Sequence, residues 1–137
     1  MRILLGTASA CAWLHGSVNS NIQILIANFP QKPPIIHGQL KPSNILLDSH
    51  WNIKIADFEI GPQIRALRRT KESFEFENTF VWTAPEVLGN SGEVTDKSDV
   101  YSFAIVAWEI LHEEKPFDGL FGNMSEFVNA VVDQELR

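Results

Sequence analysis

Five polar side chains of four chemistries fall close together in the chain. The stretch IIHGQLKPSNILLD, Ile35 to Asp48, carries the imidazole of His37, the amide of Gln39, the ammonium of Lys41 and the amide of Asn44. The carboxylate of Asp57 follows shortly after. Asn44 and Asp57 offer the oxygen donors that a hard cation requires. Gln39 can hydrogen-bond a hydroxyl group, but an amide cannot take a proton near neutral pH and so cannot serve as a general base. Taken one at a time, Asn44 is equally readable as a turn residue and Asp57 as a strand-end cap.

Such a set needs a scaffold, and the chain is long enough to build one. A domain of 137 residues buries roughly two-thirds of its unfolded surface. With 45% hydrophobic residues it is globular rather than disordered. A formal charge of −6 and a pI of about 5.1 argue against nucleic acid or anionic membrane as the main partner. The basic knot RALRR, Arg65 to Arg69, is the local exception. A single cysteine, Cys11, excludes an internal disulfide framework and suits a reducing compartment. No apolar run approaches the ~20 residues of a membrane span. The opening MRILLGTASACA imitates a secretory signal, but Ile3 to Leu5 is too short for the ~7–15 apolar residues such signals use. The expected location is cytoplasmic. Asn123 in NMS is formally a glycosylation acceptor and is expected to be idle there.

Periodicity then places the elements. Residues 1–15 read as an amphipathic helix with Leu4, Ala8, Cys11 and Leu14 on one face, so Cys11 is expected to be a buried small hydrophobe. Residues 16–34, ending in FPQKPP, form an atypical loop around the apolar patch IQILIANF. NILL (44–47) and NIKIA (52–56) predict a small hairpin turning at Asp48 and Ser49. The pattern is lost from Glu59 to Trp82, a length usual only for functional or disordered loops. A helix over 95–112 follows, with Thr95 as N-cap and Asp96 in its first turn. It is apolar on nearly every side and is therefore expected to be a buried central helix. A last helix is expected from Ser125, with Phe127, Val128, Val131 and Val132 inward.

Four short strings occur in a telling order: HGQLKPSN (37–44), DFE (57–59), APE (84–86) and DVYSF (99–103). Together they resemble the C-terminal lobe of a protein kinase, whose family shows H-R-D-L-K-x-x-N, D-F-G, A-P-E and D-V-Y/W-S-x-G. LKPSNILLD, KIADF, WTAPEVL and SDVYSFAIVAWEIL look most like the tyrosine-kinase-like group. The fold the resemblance implies is a kinase C-terminal lobe, mainly α-helical with a small β-hairpin. The catalytic loop would span 37–44, the metal motif 57–59, the activation loop 60–83, the APE motif 84–86 and the central helix 95–112.

The resemblance implies roles as well. Phosphoryl transfer needs positioning and neutralisation of phosphate charge more than covalent help. Asn44 and Asp57 match the two Mg²⁺ ligands of an Mg-ATP cofactor, and Lys41 matches the lysine that contacts the transferred phosphate. Gln39 occupies the position of the base, whose loss typically costs ~10²–10⁴-fold. His37, Phe58, Glu86 and Asp99 match structural positions of the motifs. Thr70 and Ser73, in the activation-loop equivalent, are possible phosphosites beside the reading of a solvated loop.

Departures from the family pattern point away from catalysis. Gly38 replaces the arginine that pairs with a phosphorylated activation loop. Glu59 replaces the glycine after Asp57-Phe58 and adds negative charge. Ala104 stands where a glycine is usual. No G-x-G-x-x-G or V-A-I-K-like strand precedes the catalytic loop, so the N-terminal lobe is expected to be absent. Glu86 is expected to lack its usual arginine and to stay solvated or protonated. The resulting expectation is a pseudokinase acting as a protein-interaction module, with a protein partner such as another kinase and with neither nucleic acid nor membrane. The alternatives are a serine/threonine kinase with residual activity and a truncated product without a stable fold.

Overall fold

A computed structural model describes residues 1–16, 34–57, 80–89 and 93–133. The expectations for Phe58, Glu59, Thr70, Ser73, the basic knot and nearly all of segment 16–34 lie outside the described residues, as does most of the 60–83 loop. The described elements run in order as helix α1 (Arg2–Leu14), strands β1 (Ile45–Leu47) and β2 (Ile53–Ile55), helices α2 (Pro85–Leu88) and α3 (Asp96–His112), and helix α4 (Met124–Val128). Short 3-10 turns at Pro42–Asn44 and Phe80–Trp82 precede β1 and α2.

Helix α1 buries Thr7, Cys11 and Leu14. The expected stripe is corrected at one position, since Ala8 is exposed and Thr7 lies inside. The Thr7 hydroxyl donates to the Ile3 carbonyl at 2.9 Å, which satisfies its polar atom within the helix and lets the rest of the side chain be buried. Gly6 faces β2, where an added Cβ would collide with Ile53 Cγ1. The absence of a side chain is what brings helix and hairpin together.

β1 and β2 pair antiparallel, with Ile45 opposite Ile55 and Leu47 opposite Ile53. Asp48 closes their turn by accepting from the His50 and Asn52 backbone N–H groups and from Asn52 Nδ2, each at 2.9 Å. These bonds, the Asn52 side chain first, hold the Asp48 carboxyl below its ordinary value.

Helix α3 begins in a capping box. Thr95 Oγ1 accepts from Ser98 N and Ser98 Oγ accepts from Thr95 N. The expectation of an all-round buried helix is corrected. The buried residues are Ser98, Asp99, Ser102 and Val106, while Val100, Trp108 and Leu111 are exposed. Its apolar surface runs round the whole helix, and the described elements cover only one strip of it.

Helix α4 begins at Met124, one residue before the expected start at Ser125, and is capped by Asn123. Asn123 Oδ1 accepts from Glu126 N at 3.0 Å, and its Nδ2 donates to Glu126 Oε1 at 2.9 Å. The NMS asparagine therefore works as a helix cap. The helix passes into a π turn at Asn129–Asp133, which shifts the inner face. Phe127, Ala130 and Val131 are buried, whereas Val128 and Val132 are half-buried. Phe127 is the centre of an aromatic cluster, 4.9 Å from Phe80, 5.1 Å from Phe117 and 5.5 Å from Phe121 between ring centroids. No helix among the described residues is long and apolar enough to cross a membrane.

Candidate functional site

The reach 37–44 is held in place chiefly through Asp99, a buried carboxylate on the first turns of α3. Asp99 is 1% exposed. Its Oδ2 accepts from His37 N and its Oδ1 from Gly38 N, both at 2.8 Å. His15, at the end of α1, approaches Oδ2 with Nε2 at 2.7 Å. Just beyond it, the Ile35 N–H donates to the Leu14 carbonyl at 2.8 Å, so the chain enters the loop tied to the same helix end. Gly38 has φ +72°, a conformation that side chains other than glycine's resist. An arginine here would meet that strain.

His37 is fully buried. The Gln39 N–H donates to its Nδ1 at 3.2 Å, which fixes Nδ1 as an acceptor and places the ring proton on Nε2. Nε2 lies beside the Ala56 backbone without closing a hydrogen bond among the described residues. Burial lowers the His37 pKa, against weaker opposing pulls from Asp99, its own and the Ala56 backbone, and Asp57. The ring is a neutral packing element of the loop.

Gln39 and Asn44 form one unit. Asn44 is buried and its Nδ2 donates to the Gln39 carbonyl at 2.9 Å. With the nitrogen engaged there, Oδ1 is the atom left to meet a cation. The Ala56 N–H donates to the Asn44 carbonyl at 2.9 Å, joining the start of β1 to the residue before Asp57. Asp57 is exposed in the left-handed region, φ +59°, which an aspartate tolerates better than most residues. Lys41 is partly exposed, with no ion pair among the described residues.

Asn44 and Asp57 thus present an amide oxygen and a carboxylate at two backbone points joined through Ala56. That donor chemistry suits Mg²⁺, which takes one or two protein oxygens and completes its shell with phosphates and water. No cluster of three or more His, Cys, Asp or Glu residues occurs among the described residues. The amide of Gln39 lies on the same loop, beside a tight cavity of about 10 Å³ shared with Lys41, Thr83 and Ala84. That volume is about one water molecule.

The APE strip docks by a separate bond. Trp82 Nε1 donates to Glu109 Oε2 at 2.9 Å, fastening the turn before α2 to the last turn of α3. Glu86 is exposed, so the cost of burying its charge does not arise. Sequence reasoning did not find His15, Trp82 or Glu109. His15 and Asp99 are 84 positions apart, and no local pattern announces such a contact.

The description "Protein kinase domain" matches residues 23–135. The chain belongs to the protein kinase domain family. It is 43% identical over 88 residues to the probable serine/threonine-protein kinase drkC of Dictyostelium discoideum, which covers 64% of this chain and 12% of that protein. It is 35% identical over 130 residues to the receptor protein-tyrosine kinase CEPR1 of Arabidopsis thaliana, covering 95% of this chain and 12% of that protein. It is 41% identical over 104 residues to the ankyrin repeat and protein kinase domain-containing protein 1 of Mus musculus, covering 74% of this chain and 14% of that protein. The kinase-domain chain therefore spans a small part of these relatives. Kinase domains of this family use Mg-ATP, and the small helical body with a two-stranded antiparallel sheet is consistent with part of a kinase lobe.

Proposed function

We propose that this kinase-domain chain is a pseudokinase of the tyrosine-kinase-like group, serving as a cytoplasmic protein-interaction module rather than as a phosphotransferase. One observation carries the reading: Gln39, an amide, occupies the loop position from which a kinase carboxylate would accept the substrate proton. The partner is a protein, another kinase being the first to test. Gly38 adds to the reading, since switching through an arginine and a phosphorylated loop is not available to it.

In this reading the loop keeps its shape without its proton acceptor. Asp99 fixes the backbone at His37 and Gly38, and Asn44 fixes Gln39. Asn44 Oδ1 and the Asp57 carboxylate would hold Mg²⁺, which when bound neutralises phosphate charge. Lys41 would add a cation at the phosphates. Gln39 can orient a hydroxyl but leaves its proton where it is.

A second reading, a serine/threonine kinase with residual activity, is favoured by the retention of Lys41, Asn44 and Asp57. A thermal melt with and without Mg·ATP, followed by a phosphotransfer assay of the wild type and Gln39→Asp, separates the two. The module reading expects no transfer by the wild type. Nucleotide at ~100 times its Kd would add about 2.7 kcal/mol and move the melt by several degrees. Measurable transfer by the wild type that Asn44→Ala abolishes would replace the module with the residual kinase.

A further inference from the structure

We propose that an aromatic-lined cavity at the end of α3 binds the proline-rich segment FPQKPP (29–34) of a second copy of this chain. The inference is independent of whether the loop 37–44 transfers phosphate, and its test uses no nucleotide. The cavity measures about 650 Å³, a size usual for ligand sites. It lies between the turn Phe80–Trp82, the end of α3 and the reach 115–123.

Rings form its walls. Phe80, Trp82, Phe117 and Phe121 are all half-buried. Phe80, Phe117 and Phe121 stand around the fully buried Phe127, at centroid distances of 4.9, 5.1 and 5.5 Å, so the three are braced from beneath. The Trp82 N–H is engaged by Glu109, which sets the plane of the indole. Phe117 holds φ +61°, a left-handed conformation that a bulky residue resists and keeps only where its surroundings enforce it. Such strain gathers at binding sites. Gly119, at φ +68°, has nothing within 4 Å of where a Cβ would stand, so the rim is open there.

Aromatic grooves take proline-rich segments, whose polyproline II conformation is already ordered and loses little entropy on binding. FPQKPP contains P-x-x-P at Pro30 and Pro33. At three residues per turn and ~3.1 Å per residue, that helix would put the two prolines on one face about 9 Å apart. Lys32 between them supplies a cation. The charged groups lining the cavity are Glu109, Lys115 and Asp118, with exposed Glu113 and Glu114 just before Lys115 in the chain. Acid therefore outweighs base. Asp118 is exposed and makes no ion pair among the described residues, which suits it to receive Lys32.

The geometry favours a neighbour's segment over the chain's own. The Ile35 N–H bond to the Leu14 carbonyl holds the adjoining Pro34 at the end of α1, beside His15 and Asp99. Glu109 stands about 15 Å further along α3, at the cavity. The resulting contact joins two different surfaces head to tail.

The test is sedimentation of the full chain from about 5 to 500 µM, with an association constant expected on the order of 100 µM as Kd. Replacing both Pro30 and Pro33 by alanine leaves every cavity residue in place and should weaken association about 10-fold. Asp118→Lys should weaken it about 2- to 5-fold, and Lys32→Glu in the same chain should restore it. A chain that stays monomeric throughout overturns the proposal, as does association that the proline replacements leave unchanged. A synthetic FPQKPP peptide added to the ¹⁵N-labelled chain should move the Trp82 indole N–H signal and leave those of Trp13 and Trp51 in place. Peptide binding by a chain that itself stays monomeric would replace the second copy with a proline-rich segment of another protein.

Discussion

The Asn44 side-chain amide donates to the Gln39 carbonyl at 2.9 Å, so these two residues of the loop move as one piece. The bond is part-buried, with Asn44 itself buried, and Asp99 supports the same loop through His37 and Gly38. A loop whose backbone is fixed at both ends keeps its geometry whatever side chain stands at 39.

That linkage gives Asn44 a structural role. Asn44→Ala leaves the Gln39 carbonyl without its donor in a part-buried site and should cost about 1–3 kcal/mol. Asn44→Asp puts an acceptor against an acceptor and should cost more. Urea unfolding followed by circular dichroism measures both. An Asn44→Asp chain as stable as the wild type would show that the bond contributes nothing.

Gly6 should resist replacement by a better helix former. Alanine gains about 1 kcal/mol of helix propensity over glycine. Here its Cβ meets Ile53 Cγ1, and overpacking of that kind typically costs about 1–3 kcal/mol. The expected net result for Gly6→Ala is a lower melting temperature, restored in part by Ile53→Ala in the same chain. A melting temperature raised by Gly6→Ala alone would contradict the close approach of α1 and β2.

Cys11 should be a slow thiol. Burial first, and the Asp99 charge second, push its pKa up to about 11. At pH 8 the native thiolate fraction is then on the order of 0.1%. A disulfide reagent should label it far more slowly in buffer than in denaturant. Because the folded value is raised above the ordinary 9.0, the thiol's stabilising contribution is complete below pH 9 and is lost as pH climbs toward 11. Cys11→Ala should flatten that alkaline loss, which unfolding midpoints from pH 8 to 10.5 would reveal.

His37 should act at the acid end. Its folded pKa is lowered, so its contribution is complete above the ordinary 6.5 and is lost as pH falls through the folded value. Unfolding midpoints between pH 7.5 and 4.5 should fall less steeply in His37→Gln than in the wild type. Equal slopes would mean that the ring accepts a proton in place.

The Trp82–Glu109 bond should fasten the turn before α2. Trp82→Phe keeps a ring and removes the donor, at an expected cost of about 1–2 kcal/mol, while Glu109→Gln keeps an acceptor and should cost less. A double-mutant cycle on the pair, read by urea unfolding, should give a coupling energy clearly above zero.

Much of the local structure could be read from the residues themselves. Thr95 with Ser98 as a cap, the Asp48 turn between two β-branched segments, and the run of short motifs from His37 to Asp99 are local patterns, and local physics suffices to make them. The chemical deficit of Gln39 is likewise a property of its own side chain. What the tertiary structure decided was every relationship across long sequence separation. His15 meets Asp99, Trp82 meets Glu109, and Gly6 makes room for Ile53 because elements distant in the chain pack together. It also decided which apolar surface is covered. The sequence of α3 is apolar all round, but burial depends on neighbours, and among the described residues of the helix only Ser98, Asp99, Ser102 and Val106 are buried.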